Sequence, residues 1–179
     1  INDDRLLRQL QALVEAMLAH VVGQTRLAGH VDHVCILGPS RLGVSPEVPL
    51  LRDPGIGLNP ALQAALERVA GQAATRMIVI HADLPRLASQ DVELLAAAPV
   101  GTIAIAPDRH GTGTNALSLP LPQARGFTFA FGPDSFALHL IEAERLGLPV
   151  EEIHSQGLAR DIDEPSDLAD AQNLIGGVE

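Results

Sequence analysis

Short apolar runs alternate along this chain with longer stretches of helical periodicity, and that alternation restricts the fold more than any other feature. Runs at residues 31–37, 77–80, 102–106 and 116–119 read as buried strands, and 150–153 as extended chain. Leu6, Leu7, Leu10, Leu13, Val14, Met17, Leu18 and Val21 recur at three-and-four spacing. They predict an amphipathic helix over 4–22, with Asn2 or Asp3 available as its cap. Further helices are predicted at 59–70, opened by Asn59-Pro60, at 89–98 with Ser89 as cap, at 133–147, and from about 165 to 174. Residues 45–57, rich in Pro and Gly, read as loop. Strands alternating with helices in this way predict an α/β fold with a mostly parallel sheet, and such sheets take their ligands at the carboxyl ends of the strands. With no linker, repeat or low-complexity tract, residues 1–179 read as one domain.

Composition then removes several classes of function. The formal net charge is −10, so the basic footprint of a nucleic-acid binder is missing. There is no Trp or Tyr, and the four Phe offer no platform for stacked bases. All twelve basic residues are Arg, which excludes a P-loop lysine, a Schiff-base lysine and a lysine general base among these residues. The single Cys35 cannot form an internal disulfide, and it reads as a small buried hydrophobe. No stretch approaches the length of a membrane span and no secretory signal is visible, so a cytoplasmic location is expected, with neither membrane nor nucleic acid as a partner.

Four clusters carry side chains suited to chemistry. Asp83 follows the apolar run at 77–80 directly and is placed to enter a crevice as a metal ligand; it is equally explained as a polar residue ahead of a helix. Asp161 and Asp163, two apart, fall on one side of an extended chain, where their like charges repel unless a cation lies between them. With Asp83 they compose an all-oxygen set suited to magnesium, although Asp163 is also well placed to cap the following helix. The loop at 107–115 offers Arg109 to an anion, Gly111 and Gly113 for close backbone approach, and the hydroxyl and amide of Thr114 and Asn115; read alone it is also an ordinary connection. Gly132-Pro133-Asp134-Ser135 opens a helix whose free amides favour an anion, with Ser135 or Asp134 as the competing cap and His139 one turn further on. The seven histidines show no recognisable zinc-ligand spacing.

In combination these clusters go further. His81-Ala82-Asp83-Leu84-Pro85, Pro107-Asp108-Arg109 with Gly113-Thr114-Asn115-Ala116-Leu117, Phe131-Gly132-Pro133-Asp134-Ser135-Phe136 with His139, and Asp161-Ile162-Asp163-Glu164-Pro165 occur in one order. The series resembles the 2-phospho-L-lactate guanylyltransferase family, which includes phosphoenolpyruvate and 3-phosphoglycerate guanylyltransferases of deazaflavin coenzyme F-420 biosynthesis. The resemblance covers most of the chain and is most specific from Asp83 onward. It implies a nucleotide-diphospho-sugar transferase fold, a Rossmann-like α/β/α sandwich. It implies transfer of GMP from GTP to a phosphorylated three-carbon acid with release of pyrophosphate. By that match Asp83, Asp161 and Asp163 hold Mg2+ or Mn2+ and serve catalysis. Thr114, Gly132 and Ser135 bind the acid, with Asn115 and Arg109 beside them. The expected partners are GTP and the small acid, with a homodimer left open. The family also begins with a strand and a basic phosphate-binding loop that have no counterpart here, so an upstream extension bearing both is expected. The competing readings are another nucleotidyltransferase of this fold, similar to the molybdenum-cofactor guanylyltransferases, and a non-catalytic binding domain.

Overall fold

The computed structural model describes residues 2–53 and 55–162. Asp163 and the helix expected at 165–174 lie outside the described residues. In chain order the elements are α1 (Asn2–Leu27), β1 (Ile36–Gly38), β2 (Leu50–Arg52), α2 (Leu58–Ala70), β3 (Arg76–Ile80), α3 (Ser89–Ala96), β4 (Ile103–Pro107), β5 (Thr114–Pro120), α4 (Ser135–Leu146), β6 (Val150–Glu152) and α5 (Gln156–Ala159).

The main sheet runs β3-β5-β4-β6. β5 is antiparallel to both β3 and β4, and β6 is parallel to β4. Three strands therefore point one way and β5 alone is reversed, so the sheet is mostly parallel in direction, as expected, with one antiparallel strand between β3 and β4. The carboxyl ends of β3 and β4 and the amino end of β5 consequently meet at one edge.

Side-chain alternation explains the layers. Met77, Val79, Ile103, Ile105, Leu117 and Leu119 face a core with Leu62 and Leu66 of α2 and Ala143 of α4. Their neighbours Ile78, Ile80, Ala104, Ala106 and Ala116 face the opposite core with Val21 of α1, Val92 and Leu95 of α3 and Leu158 of α5. Both faces are covered, so these strands read as continuous apolar runs. The residues on the α1–α3–α5 face of β4 and β5 are small, and Ser118 there is fully buried, its hydroxyl donating to Leu95 O at 2.7 Å. The expected three-layer sandwich follows from this two-sided pattern.

Several local expectations change. α1 continues to Leu27, five residues past the expected end; Thr25 Oγ1 donates to Val21 O, and Arg26 suits the last turn. His20 Nε2 donates to Leu87 O and Gln24 Oε1 accepts Ser89 N–H, which docks α1 against the start of α3. The run at 31–37 becomes strand only at Ile36, its first buried residue, because Asp32, His33 and Cys35 are exposed. Cys35 is thus a surface thiol and not a core hydrophobe. β2 lies inside the segment read as loop and pairs in parallel with β1, and the two pack through Ile36 and Leu50 against Leu18 and Val22 of α1. Ser89 is the first residue of α3, not its cap; the Asp91 carboxylate does the capping by accepting Ala88 N–H at 2.8 Å.

Candidate active site

The sheet edge where β3 and β4 end and β5 begins opens into a cavity of about 310 Å³. It is lined by Asp83 and His81 after β3, by Asp108 and Thr112 to Asn115 around the β4–β5 turn, by the segment from Phe131 to Ser135, and by Asp161. Six of the eight residues selected from sequence therefore come together: Asp83, Asp161, Thr114, Asn115, Gly132 and Ser135. Arg109 stands on the same turn but is not among the lining residues; its Nε donates to His110 Nε2 at 3.1 Å. Asp163 lies outside the described residues.

The β4–β5 turn is organised by Asp108. Its Oδ1 accepts the N–H groups of His110 and Thr112, and its Oδ2 accepts the Thr112 hydroxyl. Burial works to raise its pKa, but these bonds outweigh it and hold the carboxyl below its ordinary range. Gly113 is required for this arrangement, since a Cβ there would lie 2.7 Å from Asp108 Oδ2. Gly132 holds φ at +132°, a conformation that L side chains rarely adopt, and the space where a Cβ would stand is open. Asn59 fixes that segment from a distance: its Nδ2 donates to Phe131 O at 2.9 Å and its Oδ1 accepts Phe131 N–H at 2.8 Å. Neither Asp108 nor Asn59 was given a role in the site from sequence, although Asp108 stands in the Pro107-Asp108-Arg109 motif and Asn59 opens a predicted helix. The Asp-to-Gly spacing of the turn was a usable signal for Asp108; nothing local points from Asn59 to a partner 72 residues away.

Thr114 and Ser135 are each 2 % exposed and bonded to one another, Thr114 N–H donating to Ser135 Oγ at 2.9 Å. Thr114 Oγ1 lies 3.0 Å from His139 Nδ1, and Ala130 N–H donates to His139 Nε2 at 3.0 Å. Neither Asp134 nor Ser135 caps α4 with its side chain, and Asp134 takes the left-handed conformation at φ 56°. The first amides of α4 are largely engaged: Ser135 N–H donates to Gly132 O and Phe136 N–H to Thr112 O. Donors toward the cavity are thus hydroxyls more than free helix amides. Asn115 Nδ2 donates to Leu158 O at 2.9 Å, bracing the short helix that leads to Asp161.

Among the described residues four aspartates, Asp83, Asp108, Asp134 and Asp161, and no arginine line the cavity. Asp83 Oδ1 is buried without a hydrogen-bond partner among the described residues, a costly state for a carboxylate oxygen unless a ligand satisfies it. Asp161, 8 % exposed, lines the same cavity. This hard oxygen donor set fits a small divalent cation. Among the described residues no group of three His, Cys, Asp or Glu side chains is arranged to hold a metal ion.

A family model described as "Guanylyl transferase CofC like" matches residues 8–176. The chain belongs to this family. Among its curated relatives, the phosphoenolpyruvate guanylyltransferase of Sphaerobacter thermophilus is 39 % identical over 168 residues, covering 88 % of this chain and 78 % of that protein. The 2-phospho-L-lactate guanylyltransferase of Haloarcula marismortui is 35 % identical over 156 residues, covering 87 % and 70 %. Membership carries the enzyme class with it, nucleotidyltransferase. The fold agrees: a nucleotidyl transferase from Methanothermobacter thermautotroptrophicus superposes with a TM-score of 0.63 at 18 % identity over 92 % of this chain and 81 % of that one. A 4-diphosphocytidyl-2C-methyl-D-erythritol synthase gives 0.64 at 17 % identity, covering 89 % and 90 %. Among the described residues no helix is long and apolar enough to cross a membrane.

Proposed function

We propose that this guanylyltransferase-family enzyme transfers GMP from GTP to the phosphate of a three-carbon acid. The acceptor is phosphoenolpyruvate, 2-phospholactate or 3-phosphoglycerate. An acceptor phosphate oxygen bonds to the α-phosphorus of GTP, the α–β phosphoanhydride bond breaks, and pyrophosphate leaves with the bonding electron pair. The acceptor is already ionised, so no general base is needed; the obstacle is the approach of two anions.

The observation that carries this reading is the make-up of the cavity. The carboxylates of Asp83 and Asp161, the hydroxyl-bearing Thr114 and Ser135 and the open backbone at Gly132 all line one cavity. A volume of about 310 Å³ is near the lower end of ordinary small-molecule sites, which suits the acid better than a whole nucleotide. Asp83 and Asp161 would hold Mg2+ or Mn2+, joined by Asp163 as the family resemblance implies. Such an ion would supply charge neutralisation between acceptor and nucleotide. Thr114 and Ser135 would bind and orient the acid through its oxyanion. Gly132 leaves room for it, and Asn59 keeps Gly132 in place by pairing with Phe131.

The reading is tested by a coupled pyrophosphate-release assay with GTP or ATP, each of the three acids, and Mg2+ or EDTA. Turnover is expected with GTP, with one acid preferred, and only with the divalent ion. Absence of pyrophosphate release with every acid and either nucleotide would overturn it.

A further inference from the structure

Hydrogen-bond direction at the acid end of the cavity can be followed atom by atom. A backbone N–H can only donate, so the Ala130 N–H at 3.0 Å from His139 Nε2 requires that nitrogen to be an unprotonated acceptor. Neutral imidazole must then carry its proton on Nδ1, and Nδ1–H donates to Thr114 Oγ1 at 3.0 Å. With that lone pair occupied from behind, the Thr114 hydroxyl proton is left to donate elsewhere, and Thr114 lines the cavity. Ser135 repeats the pattern: its Oγ already accepts Thr114 N–H, leaving its own proton as donor. His139 is 1 % exposed and lies against Phe127 and Phe131, with ring centroids at 5.7 and 4.8 Å. Imidazolium would set two N–H donors head-on at Ala130 and bury a charge among these rings.

We infer that His139 is a positioning residue, locked in its Nδ1–H tautomer, that turns the Thr114 hydroxyl into a fixed donor so that Thr114 and Ser135 together present two neutral hydroxyl donors to one oxyanion in the cavity. This rests on the proposed function only in identifying that oxyanion with the acceptor acid. The bonds run one way from the Ala130 amide through the imidazole to the hydroxyl, and each polarises the next. A side chain that merely filled the space would leave the hydroxyl free to rotate, and Thr114 would cease to be a preset donor. Burial holds the His139 pKa down to about 4, in keeping with a neutral ring at every pH where the enzyme would work.

Two substitutions separate positioning from packing. His139→Asn keeps an N–H near the place of Nδ1 and loses the Nε2 acceptor; His139→Leu loses both. Both variants strand the Ala130 amide and should lower the melting temperature, but only His139→Leu releases Thr114. KM for the acid is therefore expected to rise about tenfold to a hundredfold in His139→Leu and to stay within a few-fold in His139→Asn. KM for GTP and kcat should hold in both. Thr114→Val should cost acid affinity in the native background and little more in His139→Leu. Equal KM changes in the Asn and Leu variants, a matching fall in kcat, or additive effects of Thr114→Val and His139→Leu would overturn the proposal. Long-range proton–nitrogen NMR on labelled protein reads the tautomer without turnover. The Nδ1–H form should be seen at pH 7 and should shift on titration with phosphoenolpyruvate. An Nε2–H or doubly protonated ring at pH 7 would overturn the assignment even if the enzyme proved fully active. A locked Nδ1–H ring that shifts with phosphoenolpyruvate, in a protein that releases no pyrophosphate, would uphold it and refute only the proposed reaction.

Discussion

Acid should destabilise this fold through His139 by an amount the structure allows one to work out. Burial is the largest influence on the ring and lowers its pKa from 6.5 to about 4; nearby Glu142 acts the other way and His81 reinforces the lowering. Because the folded pKa lies below the unfolded one, the unfolded chain takes up a proton that the folded chain refuses. Stability is fully present above pH 6.5, falls between there and about 4, and is flat below. The whole loss is about 3 kcal/mol, and about 2 kcal/mol of it is reached by pH 5. With a urea slope of about 2 kcal/mol per molar, that moves the unfolding midpoint by about 1 M. Other groups titrate over the same range, so the measurement is a comparison. Urea midpoints followed by circular dichroism at pH 7 and pH 5 should fall about 1 M further in the native protein than in His139→Asn, which has no titrating ring. Equal falls in the two proteins would refute the reasoning, because they would place no share of the acid sensitivity at residue 139.

Three further outcomes follow from other contacts. Gly157→Ala should lower stability by about 1–3 kcal/mol in thermal melts, since a Cβ there would strike the Asp91 carboxylate that caps α3 and come within 2.8 Å of Arg86 O. Arg76→Met should cost at least about 2 kcal/mol while leaving KM for the acid unchanged in the pyrophosphate assay. The Arg76 guanidinium donates to Ala98 O, Pro99 O, Thr102 O and Ser118 O, tying β5 and the end of α3 together far from the cavity. Asp83→Asn should abolish divalent-ion-dependent turnover and weaken Mg2+ binding by calorimetry, yet leave the metal-free protein as stable or more so, because it removes one charge from a crowd of carboxylates.

Much of the site was readable because strand ends are readable. Asp83 stands three residues beyond Ile80 and Thr114 opens β5, so the apolar runs themselves aim these residues at the ligand edge. The reversal of β5 was also available in principle. Residues 108–113 are far too few for a parallel crossover, which needs a dozen or more, so the connection had to be a tight reversal. β2 was hidden for a different reason: three residues in a Pro- and Gly-rich segment carry no periodicity, and their strand character comes from pairing with β1. Ser89 looked like a cap by residue type, but the Asp91 carboxylate reaches back to Ala88 N–H instead. Contacts such as Asn59 with Phe131, or Gly157 with Asp91, join positions that only the folded chain brings together.

The charge of the cavity bears on why Thr114 and Ser135 offer it hydroxyls. Among the described residues four aspartates and no arginine line it, so an anionic acceptor would meet an unfavourable field unless a cation entered with the other substrate. A resident arginine or imidazolium would lift that penalty permanently, but it would also hold the anionic product as firmly as the anionic substrate. Such uniform binding lowers KM without raising kcat. On the proposed reading, hydroxyl donors fixed by a neutral histidine would orient the acid with less grip and leave the neutralising charge to an ion held by Asp83 and Asp161. On this reasoning the low pKa of His139 is a functional requirement as well as a result of burial: a protonated ring would forfeit the acceptor that locks its tautomer, and with it the direction of the Thr114 donor.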